Sequence, residues 1–132
     1  MPQAGDSFVV KVLQVHLGWG APPGRISRSR QTRTGEGYIK IPRKYAKDFD
    51  IFNSNYSGSN HLYNVTCING QQIKGKLLAQ GCSNAGDIYA KQFSVQGNLR
   101  EIGAWYKSVN AQVGGRVRVT FTSPTDLSIE YF

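Results

Sequence analysis

Residues 116–123 read RVRVTFTS, and in them Val117, Val119 and Phe121 alternate strictly with Arg116, Arg118 and Thr120. Side chains along a strand point to opposite faces with a period of two, so such a run buries one face only as part of a sheet whose other face is wet. Pro124, Thr125 and Asp126 supply a turn, and Leu127, Ile129 and Tyr131 alternate on the way back, which predicts a closing hairpin.

The same reading extends upstream. Residues 7–15 (SFVVKVLQV) are a first strand, followed by a long loop over residues 16–37 that carries Gly, Pro and Arg. Residues 37–42 (GYIKIP) alternate Tyr38 and Lys40 with Ile39 and Ile41, and Pro42 ends the strand. Tyr45, Ala46 and Phe49 then share one side of a short helix over residues 43–49 that begins beside a proline. Residues 61–69 and 71–80 are two strands, with Asn69-Gly70 as the signal for a tight hairpin turn between them. Residues 81–86 form a second loop and residues 87–95 another strand. Asn98 and Glu101 have capping-box spacing, and Leu99, Ile102, Tyr106 and Val109 give a helix with one face on the sheet and Trp105 structural. Seven strands and two short helices in this order predict a mainly β chain folded as one small closed or half-closed barrel plugged by its helices.

A chain of 132 residues builds one domain with a core that needs no metal or disulfide. Its two cysteines, Cys67 and Cys82, have no metal-ligand spacing and are read as free thiols in a reducing compartment. The start MPQAGDSF lacks the basic segment and apolar core of a signal peptide, and no apolar run approaches membrane-spanning length, so the expectation is a soluble, cytoplasmic protein. The triplets at Asn55 and Asn64 have a glycosylation pattern that would matter only in a secreted chain.

Charge narrows the function. The net charge is +8, and eight of the sixteen Lys and Arg residues fall between Arg25 and Lys47, opposed there by Glu36 alone. A solvated loop kept for solubility is the plain alternative. Four arginines and no lysine from residue 25 to 33 argue against it, because Lys solubilises equally well while the guanidinium fork matches phosphate and guanine edges.

The element order, with YIKIPRKYAKDF at residues 38–49 and GGRVRVTFTSPTDLSIEYF at the end, resembles the B3-like DNA-binding pseudobarrel of plant B3 transcription factors and of restriction-endonuclease recognition domains. The plant members' Ile-x-Ile-Pro strand and following helix correspond to Ile39, Ile41, Pro42, Ala46 and Phe49, while LGWG at residues 17–20 before a basic loop is similar to the restriction-enzyme branch. The resemblance implies a seven-stranded open pseudobarrel with two loop arms at one end, residues 16–36 and about 79–88, that grip the major groove of double-stranded DNA. It also implies a monomeric recognition module covalently linked, in its parent protein, to a nuclease domain.

Base-edge chemistry fits those arms. Arg holds guanine O6 and N7, Gln or Asn pairs with the adenine edge, and Asp accepts from cytosine N4. The first arm offers Arg25, Arg28, Arg30, Gln31 and Arg33, with Trp19 packed beneath it or serving as a rim aromatic. The second offers Gln80, Ser83, Asn84 and Asp87. Lys40, Arg43, Lys44, Lys74, Lys76 and Lys91 are the phosphate candidates.

Two other classes compete. A complete small nuclease needs strand-borne acids and an acid-x-lysine pattern to hold magnesium, but the eight acids are scattered. No histidine-lysine signature of a metal-free phosphodiesterase occurs, and His16 and His61 have no partner at a ligand spacing. The domain is therefore expected to be non-catalytic and cofactor-free, with Mg2+ confined to an absent nuclease domain. A single-strand DNA or RNA-binding β-barrel needs aromatics exposed on strands, whereas Phe8, Tyr63, Phe93, Phe121 and Tyr131 alternate as core residues do. A protein-interaction domain with a basic face is the third alternative.

Overall fold

The computed structural model describes residues 2–13, 37–54, 61–81, 88–98 and 100–132. Strands β1 (Ser7–Lys11), β2 (Ile39–Lys40), β3 (Leu62–Cys67), β4 (Lys76–Gln80), β5 (Gln92–Val95), β6 (Arg116–Ser123) and β7 (Asp126–Tyr131) form one sheet in the order β1-β6-β7-β3-β4-β5-β2. Helix α1 (Arg43–Asp48) follows β2, and helix α2 (Arg100–Ser108) follows β5. Every pairing is antiparallel except β3 with β7, so the sheet is mixed; β1 and β2 are its edges, and it is not closed.

The period-two pattern sets the inner face. Phe8, Val10, Val117, Val119, Phe121, Leu127, Ile129, Tyr63, Leu77, Phe93 and Ile39 are buried together, and each large side chain removed from water contributes about 1.5–3 kcal/mol. Tyr63 meets Phe93 and Phe121 edge-on, with ring centroids 5.7 and 5.6 Å apart. Tyr131 is half-buried and packs against this core. Ala46 enters from α1 with Tyr45 stacked on Phe8, and Ile102, Trp105 and Tyr106 enter from α2.

Several sequence boundaries shift, each for a visible reason. The 7–15 strand ends as β1 at Lys11, although Val12 still exchanges backbone bonds with Gly114 and Gly115. The 37–42 strand shortens to two residues, with the Ile41 amide bonded to the Lys91 carbonyl. The tight Asn69-Gly70 hairpin is corrected to a longer connection, because β3 and β4 pair only from Leu62↔Leu78 to Asn64↔Lys76. Beyond that point the Gln72 side-chain amide takes the place of a strand, accepting from the Cys67 N–H at 3.0 Å and donating to its carbonyl at 2.8 Å. The 87–95 strand is divided at Lys91: Tyr89 bridges Phe52, while residues 92–95 join β4. Asn98 does cap α2, accepting from the Arg100 N–H. Glu101 departs from the capping box: its carboxylate meets the Asn98 side-chain amide and the Lys74 N–H.

Strand direction fixes where the loops leave. β2 and β4 run toward α1, while β1 and β5 run toward α2. The first arm therefore leaves β1 and returns to β2 at the α2 ends of these strands, and the second leaves β4 at its α1 end.

Candidate nucleic-acid interface

The β2–β5–β4 corner of the sheet lies between the two arm roots. Ile39, Phe93 and Ala79 form one cross-strand row and face the core. The next row, Lys40–Gln92–Gln80, therefore faces outward, with Lys40 exposed and both glutamines half-buried. Gln80 is held in place, its Nε2 donating to Ser94 Oγ at 2.7 Å. Lys91 ties the corner together: its N–H donates to the Gln80 carbonyl and its carbonyl accepts from Ile41, both at 2.9 Å. A side chain at position 81 would press within 3.0 Å of Lys91 N and Cγ, so Gly81 leaves room for that close approach.

Helix α1 adds two exposed cations beside this corner. Arg43 lies 5.9 Å from the Tyr89 ring centroid, and Tyr89 stacks on Phe52. Lys44 lies 5.5 Å from the Tyr45 ring centroid. The first turn of α1 has no acid, and Pro42 gives no side-chain cap. The helix dipole is positive in that turn and favours Asp or Glu there, so the two cations do not add to the stability of α1 through it.

The sequence candidates thus divide. Lys40, Arg43, Gln80 and Lys91 lie near the root of the second arm, while Lys44, next to Arg43 on α1, lies over Tyr45, which stacks on Phe8 of β1. Lys74 and Lys76 do not join them: Lys76 begins β4, about 13 Å from Gln80, and the Lys74 backbone N–H is bound to Glu101. Lys76 instead helps hold the Asp126 carboxyl below the usual carboxylate range, after the larger effects of hydrogen bonds from Ser123 and Asn64. Trp19, Arg25, Arg28, Arg30, Gln31, Arg33, Ser83, Asn84 and Asp87 lie outside the described residues.

Because β2 is antiparallel to β5, the described residues that flank the two arm segments fall at opposite strand ends, and whether the arms share one end of the barrel concerns residues outside those described. The flanking residues are still close. From Tyr38 to Gly81 is three residues along the strands and two strand spacings across, about 14 Å in all, comparable with the roughly 12 Å width of the major groove.

Gln92 and Tyr89 are corner residues that sequence reasoning missed. Gln92 shares the period-two register of Lys40, which signals its face, but only the pairing of β5 with both β4 and β2 sets it between them. Among the described residues no group of three or more His, Cys, Asp or Glu stands together, and no helix is long and apolar enough to cross a membrane. Comparison with protein-family models, curated proteins and solved structures gives no match, so the B3-like likeness rests on sequence motifs and element order.

Proposed function

We propose that this chain binds double-stranded DNA in a sequence-specific way, as a non-catalytic B3-like recognition module of a type II restriction endonuclease. The observation that carries the reading is the outward Lys40–Gln92–Gln80 row with Lys91, Arg43 and Lys44 beside it, bounded by the root of the arginine-rich segment. Cations supply phosphate contacts, and the held Gln80 amide with Gln92 beside it supplies a base-reading edge, the division of labour expected of a DNA-reading surface. Arg25, Arg28, Arg30 and Arg33 add guanine-reading forks in the first arm; Ser83, Asn84 and Asp87 add polar groups in the second.

Against a single-strand platform, Phe132 is the only large aromatic exposed among the described residues, whereas stacking of successive bases needs several such rings. The test is selection from a randomised duplex pool followed by a salt titration on the retained sequence. A defined consensus is expected, with log affinity falling by roughly 0.9 per phosphate contact for each log unit of salt. Retention of random sequence, or a slope near zero, would sink the proposal.

A further inference from the structure

A second surface lies on the same outer sheet face but across β1, β6, β7 and β3. Val9, Arg118 and Glu130 are cross-strand partners, and Ile68, whose N–H donates to the Ile129 carbonyl, stands beside Glu130. The next row holds Lys11, Arg116 and Phe132, the last two exchanging both backbone bonds at 2.9 Å. Val9, Ile68 and Phe132 are 39%, 59% and 45% exposed. Exposed Val113 adjoins this end of the sheet through Gly114, whose N–H is bound to Val12.

The two arginines here are already ordered. The Arg118 guanidinium is 4.7 Å from the Phe132 ring centroid and 2.8 Å from Glu130 Oε1, while Arg116 lies 5.6 Å from the same ring. Lys11, Arg116 and Arg118 against Glu130 leave two positive charges among three exposed hydrocarbon side chains. Preset guanidinium groups reduce the entropy lost on binding a carboxylate.

We propose that this face docks an acidic amphipathic helix of a partner protein, with apolar side chains over Val9, Ile68 and Phe132 and carboxylates on Lys11 and Arg116. Val9 and Ile68 are three strand spacings apart, about 14 Å, which lies between the roughly 10.5 and 16.5 Å that separate residues seven and eleven apart on one face of a helix. The hydrocarbon decides between protein and nucleic acid: a phosphate backbone gives Val9 and Ile68 nothing to bury against, whereas an amphipathic helix does. The surface is separate from the β2–β5–β4 corner, so its fate does not depend on the DNA-binding proposal.

The probe is a fluorescein-labelled peptide of about 20 residues, long enough to form helix, with Leu and Glu on one face. Titrated with the whole chain and followed by anisotropy, it should bind saturably and move the amide resonances of Val9, Ile68 and Phe132. Arg116→Glu and Phe132→Ser, two exposed substitutions whose folding is checked by the same spectra, should each weaken it about tenfold or more. An equally acidic peptide without Leu should also bind at least about tenfold more weakly. Absence of saturable binding, shifts confined to another face, or equal binding of the Leu-free peptide would each overturn the inference. So would loss of duplex affinity in Arg116→Glu with unchanged peptide binding, which would assign the face to nucleic acid.

Discussion

Asn69 shows how a residue with a strong local signal is given a different task by its neighbours. Its side-chain amide continues the β7 ladder, donating to the Tyr131 carbonyl and accepting from the Tyr131 N–H, while its own carbonyl takes the Trp105 indole N–H at 2.9 Å. Gly70 follows with φ +74°, and a Cβ there would fall 2.5 Å from Val109 Cγ1 and 2.6 Å from Ser108 Oγ. Gly70→Ala should therefore cost about 1–3 kcal/mol, read as a lower urea midpoint with unchanged slope; an unaltered midpoint would show that α2 yields easily. The buried phenols give a pH test. Burial pushes Tyr63 from 10.0 up to about 12, and Tyr106 is raised further by burial and then by Tyr38. The unfolded chain ionises these groups first, so their contribution is complete below pH 10 and is lost as pH rises through the folded values. Urea midpoints should decline across that alkaline window, and Tyr63→Phe should flatten the decline; a flat wild-type profile would contradict the burial argument.

At the scale of elements, the β2–α1 unit joins the core to the proposed interface. Ile39, Ile41 and Ala46 are buried while Lys40, Arg43 and Lys44 are exposed, so one short segment holds both the anchor and the charge. Under the proposed DNA-binding reading, that arrangement gives the basic segment a fixed base from which to enter the groove in register. Ile41→Ala should destabilise the fold by about 2–5 kcal/mol through the cavity it opens. Lys44→Ala should leave stability unchanged and weaken all duplexes alike, lowering the salt slope by roughly 0.9. Alanine at Arg25, Arg28, Arg30 or Arg33 should, for at least one of them, cost about 1–3 kcal/mol on the selected duplex and little on random DNA. Equal losses on both duplexes for all four would make the arm an electrostatic clamp, and normal binding by all four would remove it from recognition.

For the whole molecule, the non-catalytic reading predicts that plasmid DNA incubated with the pure chain and magnesium stays intact by gel electrophoresis, and site-specific nicking would refute it. Among the described acids, Glu130 pairs with Arg118, Glu101 accepts from the Lys74 N–H, and Asp126 accepts from Ser123 and Asn64. Local pattern accounts for the inventory and order of elements, because period-two alternation, a helical apolar stripe and the Asn98 cap act over a few residues. It marked the inner residues of β6 and β7 for the same reason, and it located the basic cluster, which composition displays directly. Long-range strand pairing set the rest: β7 runs parallel to β3, β1 and β2 are the edges, and Lys40, Gln92 and Gln80 share a row while Lys74 and Lys76 stand apart. Those outcomes depend on pairings between residues far apart in the chain, where local pattern says which face is apolar but not which strand lies alongside. Asn69 and Gln72 mark the same boundary at atomic scale, since an amide side chain can stand in for a strand only where the fold leaves a strand unpaired.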